Sequence, residues 1–224
     1  MTIKAVIFDL DDTLYDEKEF VKSGFKVVSS YMAKKCDLDE EKFYNLLLSV
    51  FSEKGRNNVF DLALKKLNMH EKGIVAEMVR IYREHFPNIT LFREAQKLLP
   101  ELKKEYRLGL VTDGIKEVQK NKVEALNIES LFDVITYAVE FGGKNNAEPF
   151  LATLERLKVK PSESIYVDDN PLKGFTAAKK IGVITVRVLK GEDENIEIVD
   201  EQSKPDFQIR SLRELLAIIN MVQG

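Results

Sequence analysis

The segment Ile3-Lys4-Ala5-Val6-Ile7-Phe8-Asp9-Leu10-Asp11-Asp12 decides the fold. Its first six residues are rich in β-branched side chains and nearly continuously apolar, the pattern of a strand covered on both faces of a parallel sheet. The strand then breaks into acid. Working outward, Asp16 to His85 carry helical spacing: Phe20, Gly24, Val27, Val28 and Tyr31 form one stripe, Phe43, Leu46, Leu47, Val50 and Phe51 another. Asp39, and Asn57 or Asn58, are expected helix starts; Gly55 and Gly73 are expected breaks. The block should therefore hold about four helices and no strand. Pro87 closes it. Beyond it the pattern alternates, with helices expected near 91–106, 115–126, 149–157 and 175–181 and strands at 108–112, 134–139, 164–167 and 183–188. A short strand around Phe207 and a last helix, opened by a Ser211/Glu214 capping box, complete it. Strands alternating with helices give an α/β fold: a Rossmann-like parallel sheet from residues 1–15 and 88–224, interrupted by an all-helical insertion, 16–87.

Composition narrows the function classes. The 224 residues hold 34 Lys and Arg against 37 Asp and Glu, a formal net charge of -3, with 44% hydrophobic and 32% charged residues. That length suits one core with a sizeable insertion. The slight acidity excludes a general electrostatic affinity for nucleic acid. No stretch approaches the roughly 20 apolar residues of a bilayer crossing, and the single Cys36 cannot form an internal disulfide. A soluble, cytoplasmic protein with no nucleic acid and no membrane partner is expected; no oligomeric state is fixed. Two histidines, His70 and His85, leave little for histidine-based chemistry. His85 reads as structural or exposed, and Lys116, Lys120 and Lys122 as the solvated face of a helix. Tyr31, Phe43, Phe51 and Phe60 read as core, Lys54-Gly55-Arg56 as a candidate substrate-facing break, and Gly191-Glu192-Asp193-Glu194-Asn195 as a solvated loop.

The aspartates collect where the fold places ligands. Open α/β sheets bind beyond the carboxyl ends of their strands, and there stand Asp9 and Asp11, Thr112-Asp113-Gly114, and Asp168-Asp169-Asn170. In extended chain, residues two apart project to one side, so Asp9 and Asp11 can address one pocket. Adding Asp168 and Asp169 crowds like charges, which is costly unless a cation neutralises them; all-oxygen ligands favour Mg²⁺. A calcium loop starting at Asp9 is excluded, because Leu14 and Phe20 stand where Gly and a bidentate Glu are needed. No Gly-x-x-x-x-Gly-Lys loop and no Gly-x-Ser-x-Gly elbow occurs.

Phe8-Asp9-Leu10-Asp11-Asp12-Thr13-Leu14 resembles the first motif of the haloacid dehalogenase superfamily, Val111-Thr112-Asp113-Gly114 the second, Lys144 the third, and Val167-Asp168-Asp169-Asn170 the fourth. The resemblance implies a Mg²⁺-dependent phosphatase whose helical insertion is a cap domain, acting on a small phosphorylated metabolite. It implies Asp9 as the nucleophile that becomes an aspartyl-phosphate. Asp11 is implied as the acid and base serving the leaving oxygen and then water, its backbone carbonyl a metal ligand. Thr112, with amides near Asp113 and Gly114, is implied to bind phosphate, as is Lys144, which also pairs with Asp9. Asp169 completes the metal shell with Asp9 and Asp11, and Asp168 orients waters or shares that task. Four positions depart from the family pattern: Asn145 follows Lys144 where Pro is common, Asp168 replaces a usual Gly, Gly174 stands where a second acid is frequent, and Asp12 replaces a frequent Gly. Asp12 is expected to stabilise the turn. A dehalogenase is the nearest alternative, disfavoured by Asp11, since a halide leaving group needs no proton. A phosphotransferase and a non-catalytic scaffold keeping the fold are the others.

Overall fold

The structure, a computed structural model, describes residues 2–69, 73–191, 194–198 and 200–224, so His70 and the Glu192-Asp193 part of the expected solvated loop lie outside the described residues. The chain forms two compact units, Met1–Glu17 with Thr90–Gly224 and Lys18–Ile89. In chain order the elements are β1 (Ala5–Phe8), α1 (Glu17–Cys36), α2 (Glu40–Lys54), α3 (Val59–Lys66), α4 (Ile74–Glu84), α5 (Arg93–Leu102), β2 (Arg107–Thr112), α6 (Lys116–Ala125), β3 (Val134–Tyr137), α7 (Glu148–Leu157), β4 (Ser164–Asp168), α8 (Phe175–Lys180), β5 (Ile184–Val188), β6 (Phe207–Ile209) and α9 (Leu215–Gln223).

The first unit is built on one six-stranded sheet of order β3-β2-β1-β4-β5-β6, every pairing parallel. β1 and β4 are buried along their whole length, which is why β1 is purely apolar and β4 carries Ile165, Tyr166 and Val167 between Ser164 and Asp168. The order reverses at β1, the position where such sheets open a crevice at their carboxyl edge. Register fixes what meets there: Phe8 pairs with Leu110 on one side and Val167 on the other, so β1, β2 and β4 end together. Beneath the site Ile7, Val111, Phe150, Leu154, Tyr166 and Phe175 pack into one apolar cluster. A Cβ on Gly109 would lie 3.0 Å from Thr153 and 3.2 Å from Leu157, so α7 packs directly on β2 because glycine leaves the room.

The expected strand at 134–139 stops at Tyr137. The chain turns there into a short 3₁₀ segment, Ala138–Phe141, which leaves Val139 and Phe141 exposed. The Ser211/Glu214 box is present but caps a 3₁₀ turn, Leu212–Glu214, from which α9 continues.

The second unit is helical and has its own core, centred on Phe25, Val28, Phe43, Leu47, Phe60 and Met78, with Tyr31 and Phe51 packed at its margin. Asp39 caps α2 by accepting from the Lys42 amide at 2.8 Å. Asn58 precedes α3 in a left-handed conformation without a side-chain cap, a turn role that asparagine tolerates. Val27 departs from the expected stripe: it is 40% exposed, because Val21, Gly24, Phe25, Val28 and Met32 form the inward face of α1. His85 is buried, its ring 4.9 Å from Phe20 and 5.9 Å from Tyr82. Lys54, Gly55 and Arg56 are exposed. Among the described residues no helix is long and apolar enough to cross a membrane.

Candidate active site

Asp9 is the first residue past β1, and its amide donates to the Val167 carbonyl at 2.9 Å, so the ladder continues and holds it level with Asp168. Asp9, Asp168 and Asp169 are all buried, and a carboxylate oxygen from each lies within 4.8 Å of the others. The buried Lys144, from the loop ahead of α7, places its Nζ 2.7 Å from Asp9 Oδ1 and 2.8 Å from Asp168 Oδ2. Asp168 also accepts from the Tyr166 hydroxyl and, at 3.0 Å, from the Asn170 amide. Its oxygens are thereby committed to protein donors. Asp169 Oδ1 accepts from the Thr13 hydroxyl at 3.2 Å, and the Asp169 amide returns a bond to Thr13 Oγ1 at 3.1 Å.

Three carboxylates around one ammonium leave negative charge in a dry place. Burial pushes Asp9 up to about 8; Lys144 opposes this, while Asp168 and Asp11 add to it. Asp169 is pushed up to about 10 by burial, then by Asp168 and Asp9, against Lys144. Burial works against the Lys144 ammonium, but Asp168 and Asp9 outweigh it and hold its pKa well above the usual lysine range. Protons are favoured at Asp9 and Asp169 because burial and the neighbouring carboxylates together outweigh Lys144. A hard divalent ion with oxygen ligands fits this donor set on charge, chemistry and spacing.

Thr112 ends β2, one residue past the Val111 level that faces Asp9. Its hydroxyl is buried and has no hydrogen-bond partner among the described residues. Such a group costs about 1–3 kcal/mol left unpaired, and a phosphate oxygen would satisfy it. The adjacent turn differs from expectation in one respect. The Gly114 amide, expected to face a phosphate, donates to Asp113 Oδ1 at 3.0 Å. Asp113 folds back on its own turn, which Gly114 permits with φ +114°.

Asp11 turns away from the carboxylate cluster. Oδ1 accepts from the Tyr15 hydroxyl and from Lys122 Nζ at 2.7 Å, and Oδ2 accepts from Gln119 Nε2 at 2.9 Å. Burial pushes its carboxyl up, but the Lys122 charge and hydrogen bond, with those of Tyr15 and Gln119, hold it below the usual range. Lys122 overturns the solvated-face expectation: it is only 3% exposed and also reaches Glu17 at 3.4 Å. The face of α6 carrying Gln119, Lys122 and Val123 is the buried one. Lys120 stays exposed beside Glu117, and Lys116 pairs with Glu140.

Residues 6–188 match the haloacid dehalogenase-like hydrolase family. The chain belongs to that family. It is 36% identical over 226 residues to a glyceraldehyde 3-phosphate phosphatase of Methanocaldococcus jannaschii, covering 97% of both chains. It is 32% identical to a protein of the same name from Methanopyrus kandleri, again covering 97% of both. Among solved structures, a 2-haloacid dehalogenase from Pseudomonas syringae has the same fold, with TM-score 0.68 at 23% identity over 98% of this chain and 99% of that one. As a haloacid dehalogenase-like hydrolase with such relatives, the chain is a phosphatase.

Two departures from the family pattern now have physical reasons. A Cβ on Gly174 would come within 3.0 Å of the Tyr166 ring and hydroxyl, so no acid fits there, and Tyr166 uses that hydroxyl to hold Asp168. Asp12 adopts φ 52° and accepts from the Glu17 amide at 2.8 Å, which shapes the turn after β1. Sequence reasoning missed Gln119, Lys122 and Arg187. The Arg187 guanidinium is buried and donates to the carbonyl of Asp169 at 3.2 Å, and to those of Ile196 and Glu194, each at 3.2 Å. The motif spacing that marks the aspartates carries no signal for these three.

Proposed function

We propose that the protein is a Mg²⁺-dependent hydrolase of a small phosphomonoester, working through an aspartyl-phosphate on Asp9, with glyceraldehyde 3-phosphate the first substrate to try. The observation that carries this is the buried Asp9 carboxylate, held by Lys144 at 2.7 Å in a nest with Asp168 and Asp169. Asp9 and Asp169, with the Asp11 backbone carbonyl, would hold the Mg²⁺, which supplies charge neutralisation for the incoming phosphoryl group. Lys144 fixes the rotamer of Asp9 and adds positive charge where the equatorial oxygens of the transferring group develop theirs. Thr112 gives its unpartnered hydroxyl to one of those oxygens. Asp9 attacks phosphorus, the ester bond breaks, and Asp11 supplies the leaving oxygen with a proton. Asp11 then takes a proton from the water that cleaves the aspartyl-phosphate. Asp11 also argues against a dehalogenase, since a departing halide needs no proton. The helical insertion, placed in sequence between the first and second motifs, is assigned the role of a substrate-selecting cap.

Phosphate release from glyceraldehyde 3-phosphate and from p-nitrophenyl phosphate, with Mg²⁺ and with EDTA, tests the proposal. Turnover is expected to need Mg²⁺ and to vanish in Asp9→Asn. Activity retained by Asp9→Asn would overturn the role of Asp9, and full activity in EDTA would overturn the metal.

A further inference from the structure

We infer that Lys122 and Gln119, two positions of α6 outside the family motifs quoted above, are positioning residues that aim Asp11 and single out Oδ2 as the oxygen that exchanges the proton. The inference rests on the phosphatase role of Asp11 proposed above, and it starts from a count of lone pairs. A carboxylate oxygen accepts about two hydrogen bonds in the carboxylate plane. Asp11 Oδ1 accepts two, from the Tyr15 hydroxyl and from Lys122 Nζ at 2.7 Å. Oδ2 accepts one among the described residues, from Gln119 Nε2 at 2.9 Å. Oδ1 is filled, so the position left for a transferable proton is on Oδ2.

Gln119 does a second thing. Its Nε2 also donates to the carbonyl of Asp113, in the turn that carries Thr112. One buried amide therefore joins the proton-transfer carboxylate to the turn expected to hold phosphate, so the distance between them is set by one side chain. Gly114 leaves room for that amide, since a Cβ there would come 3.2 Å from Gln119 Nε2. Lys122 contributes a fixed counter-charge, since its ammonium is 3% exposed and reaches both Asp11 and Glu17. Tyr15, 0% exposed, is the third donor to the carboxylate. Such convergence of donors from two elements on one carboxylate is more than an α6 surface needs for solubility or helix stability.

The chemistry gives a discriminating test. In the first half-reaction the Asp9–phosphorus bond forms as the ester P–O bond breaks, and the electron pair left on the alcohol oxygen takes the proton from Oδ2. An alkoxide leaving group needs that proton; p-nitrophenolate, a weak base, leaves without it. Lys122→Met and Gln119→Leu are each compared with wild type on glyceraldehyde 3-phosphate and on p-nitrophenyl phosphate, with Lys122→Arg as the conservative control. General acid catalysis is worth about 10²–10⁴-fold, and a misaimed acid should lose about tenfold or more of it. We expect the single-turnover rate constant for first-half phosphoryl transfer, followed by rapid quench, to fall at least tenfold with the alkyl ester and under threefold with p-nitrophenyl phosphate. KM should be little changed, and Lys122→Arg should recover most of the loss. Equal losses on both substrates, or none on either, would overturn the inference. Gln119→Leu keeps the test decisive if Lys122→Met does not fold. If wild type turns over neither substrate while Mg²⁺ is present, the phosphatase reading has failed; if it turns over both and the variants show no leaving-group dependence, the positioning role alone has failed.

Discussion

Replacing Lys144 by Met keeps the length of the side chain and deletes its charge, and it tests whether the site is an electrostatic unit. The ammonium makes two short ion pairs, 2.7 Å to Asp9 and 2.8 Å to Asp168, whose side chains are 7% and 0% exposed. An exposed pair of this kind would be worth about 0–1 kcal/mol. Here water cannot take over, and breaking a buried pair by removing one partner costs about 3–5 kcal/mol. At about 2–4 °C per kcal/mol for a chain of this size, Tm should fall by about 6–20 °C. Thermal and urea unfolding followed by far-UV circular dichroism, in EDTA so that no cation replaces the ammonium, measure the Tm shift and the free-energy loss. The sign with pH follows from the raised carboxyls. Lys144 lowers Asp9 and Asp169, so its removal raises both further, and the added deficit is small at pH 5 and grows as pH rises past the wild-type Asp9 value of about 8. Adding Asp168→Leu to Lys144→Met should restore part of the loss, because the second change removes a stranded charge. A Lys144→Met deficit below about 1 kcal/mol, or one independent of pH, would refute the reasoning.

Gly114→Ala places a side chain at φ +114° and 3.2 Å from Gln119 Nε2; a loss of about 1–3 kcal/mol in urea unfolding is expected, with kcat reduced because the Asp113 turn and Asp11 share that amide. Glu94 is held below its usual range, burial raising it but hydrogen bonds from Lys190 and Ser211 outweighing burial. Its contribution is therefore present above the unfolded value and lost as pH falls through the folded one, and Glu94→Gln should flatten the acid limb of stability between pH 6 and pH 3.5, read as urea midpoints.

Much of the fold was legible because the chain states it locally. β1 is a continuous apolar run and β4 has one at its centre, Ile165 to Val167, since both faces of a central parallel strand are covered. Asp39 caps α2 because its short carboxylate reaches an amide three residues on. Tertiary context decided the rest. Val27 satisfies a helical spacing yet faces water, because α1 has room to bury Phe25 and Val28 but not their neighbour. Asn58 was a sound cap by composition, but the turn before α3 needed a left-handed residue instead.

Lys122 shows most clearly where sequence reasoning stops. A lysine among Lys116, Lys120 and Glu117 reads as solvated, and for two of the three lysines in that stretch the partners are indeed the surface groups Glu140 and Glu117. What turns the third inward is a carboxylate 111 positions earlier in the chain, brought near by the pairing of β1 with β2. Asp11 draws it in because a half-buried anion needs a cation more than the surface does, and Gln119, one turn earlier on α6, sits on the same face for the same reason. The motifs mark residues whose chemistry is fixed by type: the proposed nucleophile has to be a carboxylate, and the lysine proposed to hold phosphate has to be a cation. The groups that aim them are fixed only by where the sheet delivers them. They surface when each oxygen of Asp11 is asked which donors it holds, a question the order of residues does not pose.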